Sequence, residues 1–543
     1  MKIIMEVRKQ KMVALFSLMA VCCGTWADNV ITITYQGNKA SVSKVVKSDS
    51  VNVKTDGAKV VVENFASAQK HVFRLVGASD DAQFVLKTNT KDKIELQNVK
   101  IQSKEGAPIN IKGGKKVEIC ALKGTDNSLS IAACNDTANN KPAVIYSKGK
   151  LEFTGTGKLA VLASGNGCKG ISAKNDIIIN DLTLDVKTTG DNLGPDTTHV
   201  MGFGGPGGPM GMPMGGPGEH GGHGGPDAHM GGGMPGPPPN FNFDDLPDSI
   251  KQKIEEMRKK FENGEFPPFG GFGGAQGGIP FGGPEGHEAH GFGGPGFGGP
   301  GGFMGKQKFL GTCKGIKSTD VVTVNSGNVT VYTTSRGAEG IEGKKGVVIN
   351  GGTVSVNSMD DAINANAQIY FNGGKITAIS RTNDAVDANV EGGFDFGSFF
   401  GGDNGNKKKL DPAIIIKGAE VYAYSQVGPP EEGLDCDFAP IEVANGKVFS
   451  IGAGMGDMPS VPTEETAKQP TALLIGLNLT EGKEVKVKDA KGRVVMSVVA
   501  PFNFRSSSSI ITFPEMKKGE TYSVETEGYS KSFVMEKQFT VVR

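Results

Sequence analysis

The sequence predicts an all-β protein: a right-handed parallel β-helix, or solenoid, with β-rich caps and one long insertion. Three observations predict this fold class. A strand–turn–strand unit returns in steps of 25, 22 and 23 residues from Gly315 onward. No helical pattern separates these copies, and the same acidic corner returns in them. A nearly constant period of this length indicates stacked repeats.

The amino-terminal segment has the pattern of an export signal. Lys and Arg occur up to Lys11, an apolar run extends from Met12 to Cys23, and Thr-Trp-Ala offers a cleavage site after Ala27. The apolar run is shorter than the ~20 residues that a bilayer-spanning helix needs. We therefore expect a signal peptide over residues 1–27 and an exported protein that is periplasmic, surface-bound or extracellular. We expect no transmembrane segment.

The charge balance excludes one class of partner. Lys and Arg number 58, and Asp and Glu also number 58. Nucleic-acid-binding domains usually carry a basic excess that neutralises phosphates. We therefore expect no nucleic acid as a partner.

A small residue followed by an aliphatic residue marks each copy of the repeat. The markers are Gly170, Gly315, Gly340, Ala362, Ala385 and Gly433. Runs such as "KGVVINGGTVSVNS" and "AQIYFNGGKITAIS" follow them, and their period-two alternation is typical of half-buried strands. Asn-Gly-Gly supplies a corner in which glycine takes positive φ.

The first two markers lie 145 residues apart, and Cys-Lys precedes both. We therefore expect neighbouring copies with an insertion at residues 194–310. Its Gly- and Pro-rich composition predicts disorder, with one short helix in "LPDSIKQKIEEMRKKFENG". We expect the β-helix over residues 86–193 and 311–470. Caps are predicted over residues 28–85 and 471–543, the second of which would block the open end of the coil.

The later copies align acidic side chains at the corner. The aligned residues are Glu339, Asp361, Asp384 and Glu432, then Glu342, Asn364, Asp387 and Asp435, then Lys344, Asn366, Asn389 and Asp437, with Asp360 ahead of the second copy. Unit charges about 4.8 Å apart repel by roughly 3.5 kcal/mol at an effective dielectric near 20. Ca²⁺ would offset this repulsion, because it takes roughly six to eight oxygen ligands. The alternative is a solvated acidic edge that discourages aggregation.

Cysteine positions leave the pairing open. Cys168 and Cys313 hold equivalent places in neighbouring copies, where they could form a disulfide that closes the insertion or an inward stack of thiols. Cys120 and Cys134 form a second potential pair.

Several motifs carry a family resemblance. They include "GTGKLAVLASGNGCKGISAKNDIIIN", "GIEG", "DDAINAN", "DAVDAN" and "PEMKKGETYSV". These motifs resemble the bacterial carbohydrate-binding domain-containing proteins, a family with a calcium-containing parallel β-helix, typified by a clostridial protein that binds cellulose and acidic sugars. The resemblance implies calcium at Asp361, Asp384 and Asp387. Asn364, where an acid is usual, and an insertion after Asp387 depart from the family pattern.

Three functions remain open on this sequence. The preferred one is a non-catalytic polysaccharide-binding protein, with calcium-bridged contacts to acidic sugars. Its candidate stacking residues, each equally suited to the core, are Tyr370, Tyr422 and Tyr424. The second is a calcium-dependent uronate lyase, with Lys344, Lys345 or Arg381 near the base position. The third is an adhesin that binds a surface partner through residues 194–310.

Overall fold

The computed structural model describes residues 29–46, 51–65, 70–113, 115–133, 143–195, 309–390, 410–427, 431–436, 439–452 and 460–543. Within these ranges every regular element is a strand, which confirms the all-β class. They also contain no helix that is long and apolar enough to cross a membrane. The predicted signal peptide, the predicted helix and nearly all of the predicted insertion lie outside the described residues.

The amino-terminal strands form two antiparallel hairpins and then begin the parallel pairing that runs through the protein. They are β1 (Asn29–Gln36), β2 (Lys39–Val46), β3 (Val51–Asp56), β4 (Lys59–Asn64), β5 (Val72–Ser79) and β6 (Gln83–Thr88). Two antiparallel hairpins, β1–β2 and β3–β4, come first. From there β1 pairs parallel with β5, and β4 pairs parallel with β6.

Eleven strands follow before the insertion. They are β7 (Lys93–Ser103), β8 (Ile109–Ile111), β9 (Val117–Ala121), β10 (Asp126–Ile131), β11 (Ala143–Ser147), β12 (Leu151–Thr154), β13 (Lys158–Ala163), β14 (Lys169–Ala173), β15 (Ile177–Ile179), β16 (Thr183–Thr188) and β17 (Leu193–Pro195). Parallel pairing continues without a break from β5 to β7 and from β6 to β8. The predicted domain boundary at residue 85 therefore does not interrupt the sheets.

The strands after the insertion repeat in groups of three. They are β18 (Phe309–Gly311), β19 (Ile316–Ser318), β20 (Val321–Val324), β21 (Asn328–Thr333), β22 (Ile341–Gly343), β23 (Gly346–Ile349), β24 (Thr353–Ser358), β25 (Ile363–Ala365), β26 (Ile369–Phe371), β27 (Lys375–Ser380), β28 (Val386–Ala388), β29 (Ile414–Lys417), β30 (Glu420–Ser425), β31 (Ile441–Ala444), β32 (Lys447–Gly452) and β33 (Pro462–Ala467). From β19 to β27 each strand pairs parallel with its counterpart in the next copy, as β22–β25, β23–β26 and β24–β27 do.

The register of the strands matches the spacing of the repeat markers. Ile341 pairs with Ile363, and Ile363 pairs with Val386. Ile171 pairs with Ile316 across the long gap in sequence, so the copies before and after the insertion are direct neighbours. β17 and β18 pair antiparallel at the base of the insertion.

The core consists of aliphatic side chains stacked from copy to copy. Ile341, Ile363 and Val386 are fully buried in one continuous cluster. The marker position is small because a Cβ added to Gly340 would lie 2.1 Å from Val356 Cγ1. At the Asn-Gly-Gly corners, Gly352 and Gly374 have φ of +82° and +85°. A non-glycine residue would be strained in this left-handed conformation.

The carboxyl-terminal strands add to the last copy. They are β34 (Thr471–Leu479), β35 (Glu484–Asp489), β36 (Val494–Val499), β37 (Phe504–Thr512), β38 (Thr521–Thr526), β39 (Tyr529–Val534) and β40 (Phe539–Val542). β37 pairs antiparallel with β32 and with β34. A second hydrophobic cluster, with Phe449, Phe513 and Tyr522, forms there. The edge of β32 is therefore paired rather than open.

Two adjacent residues on β26 test which face of the strand is turned toward the core. Phe371 is fully buried in the main core, whereas Tyr370 beside it is 36% exposed. We expect Phe371→Ala to lower the free energy of unfolding by about 3–5 kcal/mol, because it leaves a cavity. Tyr370→Ala should cost less than about 1 kcal/mol. Urea denaturation followed by circular dichroism measures both, and similar losses would contradict the assigned faces.

Candidate functional site

Two columns of polar side chains cross the ten-stranded sheet that contains β14, β19, β22, β25 and β28. The first column contains Lys169, Lys314, Glu339, Asp361, Asp384 and Glu432. Backbone hydrogen bonds connect neighbouring members of the first column. For example, the N–H of Gly170, which follows Lys169, donates to the carbonyl of Lys314, and the same bond recurs at each later step. The second column contains Ser172, Lys317, Glu342, Asn364, Asp387 and Asp435, which pair in register. We call the two columns together the charged ladder.

The repeat explains why these polar side chains share one face. In β22 the aliphatic Ile341 enters the core, so the next residue, Glu342, projects from the opposite face. The same alternation places Asn364 after Ile363 and Asp387 after Val386. Although they face away from the aliphatic core, the amide and the carboxylates of the ladder are buried, except for Asp435, which is half-buried.

Lysine and glutamate meet in the middle of the ladder. Lys314 Nζ lies 2.5 Å from Glu339 Oε1 and 3.1 Å from Glu342 Oε2. Lys317 and Lys344 also reach Glu342, at 2.8 and 2.5 Å. Burial alone would raise the pKa of Glu342, but the three lysines hold that pKa well below its usual range. These two predicted calcium ligands therefore lie in ion pairs with lysine.

Carboxylates and one amide make up the next three strands. Asn364 Nδ2 donates to Asp361 Oδ2 at 2.9 Å and to Asp387 Oδ2 at 2.8 Å. Asn389 Nδ2 donates to the same oxygen of Asp387 at 2.5 Å. Asn364 is fully buried, and its Oδ1 accepts no hydrogen bond. The amide thus separates two carboxylates, while its own oxygen lacks a donor.

Two further acids carry strongly perturbed pKa values. Burial raises the pKa of Asp384 well above its usual range, and the neighbouring Asp435 and Asp361 raise it further. The Asp384 N–H donates to Asp361 Oδ1 at 3.2 Å. Burial also raises the pKa of Glu432, and Asp435 adds to this. Proton uptake by either group would relieve repulsion between carboxylates.

The other predicted ligands lie around this cluster. Ser460 donates through its N–H to Glu432 Oε2 at 2.7 Å and through its Oγ to Asp435 Oδ1 at 2.9 Å. Asp360 is buried, and Asn366 is exposed and accepts from Lys344 Nζ at 3.4 Å. Asp437 lies outside the described residues. We call Asp361, Asn364, Asp384, Asp387, Glu432 and Asp435 the acidic half of the ladder.

The acidic half fits a hard cation by chemistry. Its donors are carboxylate and amide oxygens, which Ca²⁺ prefers. Among the described residues no three His, Cys, Asp or Glu side chains are gathered closely enough to hold a metal as they stand. A half-turn of the Asn364 amide would exchange Nδ2 for the unpartnered Oδ1 between Asp361 and Asp387. The donor set then becomes all oxygen.

Of the two arrangements left open for Cys168 and Cys313, the disulfide between them is wrong. Cys313 is a free, buried thiol, whereas Cys168 is disulfide-bonded. The Cys313 thiol donates to Asp191 O at 3.2 Å, and burial raises its pKa to about 11. Cys120 is also a free thiol, so its suggested pairing with Cys134 is wrong too.

Comparisons with known proteins bear on this geometry. A model of the carbohydrate-binding domain-containing proteins matches residues 56–201 and 304–385. A carbohydrate-binding domain-containing protein of Acetivibrio thermocellus is 31% identical over 150 residues, or 26% of this chain and 52% of that protein. The resemblance to the carbohydrate-binding domain-containing family is confirmed. The chain spans about half the length of this curated relative.

A solved structure was also found to be similar. It is described as the polysaccharide lyase-like protein from C. thermocellum, as a gadolinium derivative. The alignment has a TM-score of 0.38 and 17% identity, and covers 67% of this chain and 94% of that one. The carbohydrate-binding domain match has two parts, with residues 202–303 unmatched between them.

Sequence reasoning missed one aromatic residue of the outer surface. The Tyr332 ring lies 5.5 Å from Lys187 Nζ and 4.8 Å from the Arg381 guanidinium carbon. The predicted stacking residues Tyr422 and Tyr424 are 9% and 4% exposed, so they belong to the packing under the carboxyl-terminal strands. The alternation in "NVTVYT" placed Tyr332 opposite the core valines and could have identified it.

Removing Glu342 should leave three lysines without their shared carboxylate. We expect Glu342→Gln to lower the free energy of unfolding by about 3–5 kcal/mol at pH 7, as for a broken buried ion pair. The control is Glu442→Gln, whose partner Lys417 is 53% exposed. That change should cost less than about 1 kcal/mol. Equal losses by urea denaturation would show that the buried pairs contribute no more than a surface pair.

Proposed function

We propose that this chain is an exported, non-catalytic polysaccharide-binding protein whose stacked copies form a right-handed parallel β-helix. We propose further that the acidic half holds calcium and that the calcium supports binding of acidic sugars. The observation that carries the proposal is the stack of carboxylates around buried Asn364, whose Nδ2 joins Asp361 Oδ2 to Asp387 Oδ2 while its Oδ1 accepts no hydrogen bond. The family match supports carbohydrate as the ligand class.

Calcium would be held by Asp361, Asn364, Asp384 and Asp387. Bound there, it would supply positive charge for the buried carboxylates and for the carboxylates of an acidic sugar. The chain's own residues fix the donors: backbone bonds from Gly340 N to Asp361 O and from Ala362 N to Asp384 O hold successive ligands one strand apart. Glu339 and Glu342 are left out of this set, because lysines already neutralise them.

Polar contacts suit this surface better than aromatic stacking. The single Trp, Trp26, falls in the predicted signal peptide. Of the three predicted stacking residues only Tyr370 is exposed. The faces of Tyr332 are close to cationic side chains. An acidic polysaccharide therefore complements this chain better than a neutral glucan does.

The candidate bases of a lyase are engaged elsewhere. Lys344 is bound to Glu342, and the Asp320 carboxylate raises the pKa of Lys345. The Arg381 guanidinium lies over the Tyr332 ring. A general base must be able to lose its proton, and ion pairing opposes that loss. These contacts favour binding without catalysis. The adhesin hypothesis concerns an insertion that lies outside the described residues and stays a prediction.

Calcium should stabilise the folded protein through the acidic half. We expect calcium to raise the melting temperature of the wild type, because a ligand that binds only the folded state stabilises it. The double variant Asp361→Ala, Asp384→Ala should lose this rise and should melt no lower than the wild type in chelator. The control, Asp185→Ala, removes an exposed acid and should keep the full response. Equal losses in calcium and in chelator would count against a calcium site.

Retention on polysaccharide tests the ligand and the absence of catalysis together. We expect the protein to be retained by polygalacturonate in calcium, with at least tenfold less retention in chelator or on a neutral glucan. We expect no rise in ultraviolet absorbance from unsaturated product. Retention that does not depend on calcium would contradict the proposal that calcium bridges the protein and the polysaccharide. Formation of unsaturated product would show that the protein is a lyase. The Asp185→Ala variant again serves as the matched control.

A further inference from the structure

Beyond Lys169 and Ser172, the two columns of the charged ladder are extended toward the amino-terminal copies by uncharged residues. In register with Lys169, the preceding strand β11 carries Ala143. In register with Ser172 it carries Tyr146. Tyr146 packs against Ala107 and Ala143 in a small cluster that is separate from the main core. The face thus changes from apolar to basic and then to acidic along one line of strands.

Positive charge exceeds negative charge at the start of this line. Lys314 is bound to the carboxylates of Glu339 and Glu342, and Lys317 is bound to that of Glu342. Lys169 stands one strand earlier, joined by the bond from Gly170 N to Lys314 O at 3.1 Å. Within the part of the chain that the structure describes, no carboxylate or other acceptor lies within bonding distance of Lys169 Nζ. One ammonium is therefore left over.

The surroundings make this ammonium unfavourable as it stands. The Lys169 side chain is only partly exposed. Burial, together with the charges of Lys317 and Lys314, lowers the pKa of Lys169 to about 8. An anion placed beside Lys169 would raise the pKa of Lys169 again, because it would pair with the ammonium and offset the repulsion from the neighbouring lysines.

Hydroxyl groups stand beside the same position. Ser172 is directly in register with Lys317 on one side and Tyr146 on the other. In the described part of the chain, neither the Ser172 hydroxyl nor the Tyr146 hydroxyl makes a hydrogen bond. Burial raises the pKa of Tyr146, so its phenol remains a donor at neutral pH. Ammonium and hydroxyl groups together supply donors for an oxygen-rich anion.

We propose that Lys169, Ser172, Tyr146 and Lys317, the basic end of the ladder, bind one oxyanion, a carboxylate or a sulfate. Each group donates hydrogen bonds, and two are cationic. A metal cation is excluded by the same charges. Lys169 lies three strands from Asp361, about 14 Å at a strand spacing of about 4.8 Å. The basic end is therefore a site separate from the acidic half, and it does not depend on calcium.

Titration calorimetry of the full chain in chelator tests the site. Sodium galacturonate and sodium sulfate are the two probes, and galactose is the neutral control. We expect millimolar binding of at least one anion, none of galactose, and at least a tenfold loss in Lys169→Met. Lys169→Arg should retain binding, because it keeps the positive charge. The matched control is Lys100→Met, which removes an exposed lysine from another sheet and should change nothing.

The pH dependence gives a second readout. The anion binds the ammonium form of Lys169, so its affinity should fall about tenfold between pH 7 and pH 9 as a group of pKa about 8 loses its proton. Lys169→Arg should lose this dependence. Removing one of three adjacent lysines should not lower the melting temperature, so a folded Lys169→Met protein is expected.

The outcomes separate the sources of the anion. Binding of galacturonate alone assigns a sugar carboxylate, binding of sulfate alone assigns a sulfate group, and binding of both assigns a general oxyanion site. No binding by the wild type, or equal binding by Lys169→Met and Lys100→Met, overturns the proposal. Because the titration is done in chelator, its failure leaves calcium-dependent retention on polygalacturonate untouched.

Discussion

Parallel stacking brings equivalent residues of every copy to within one strand spacing of each other. For an aliphatic residue this is favourable, and Ile341, Ile363 and Val386 form a continuous core. For a charged residue it is costly, because two like charges at about 4.8 Å repel strongly when they are shielded from water. The polar face must therefore alternate its charges, take up protons or bind ions of opposite charge.

This chain uses the first solution in the middle of its polar face. Lys314 and Lys317 on one strand neutralise Glu339 and Glu342 on the next. Toward the carboxyl-terminal copies Asp361 and Asn364 take the ladder positions that the lysines hold earlier, so the ladder itself supplies no further lysine. Toward the amino-terminal copies the acids are replaced by Lys169. The two ends of one ladder thus carry opposite excess charge.

Sequence periodicity predicted the parallel register, the neighbouring copies on either side of the insertion and the glycine corners. These depend on spacing and residue size, which the sequence contains directly. The partners of the corner acids depend on which neighbouring copy reaches them. Lysine at positions 169 and 314 was visible in the alignment, yet its pairing with Glu339 and Glu342 follows only from the stacked strands.

The suggested disulfide between Cys168 and Cys313 fails for a similar reason. Equivalent positions on neighbouring strands bring two Cα atoms within the range of a disulfide. Spacing says nothing of side-chain direction, and the Cys313 thiol is directed to the carbonyl of Asp191. Tyr332 shows the opposite case, since strand alternation alone places it on the outer face. Side-chain direction can be predicted from sequence within regular strands, but it cannot be predicted where the chain bends before β19.

Protons and a bound cation would compete for the acidic half. The folded-state pKa of Asp384 and that of Glu432 are raised. Their protonated forms therefore contribute stability that is fully present below the unfolded pKa, near 4, and is lost as pH rises through the folded value. Glu342 behaves in the opposite way: its stabilising charge is present above its unfolded pKa and is lost only as pH falls through the depressed folded value. The lysine-paired middle is thus stable at neutral pH by itself, whereas the acidic half at that pH would gain most from a bound cation. Affinity for such a cation would rise with pH, because each proton released from the cluster would make another carboxylate oxygen available.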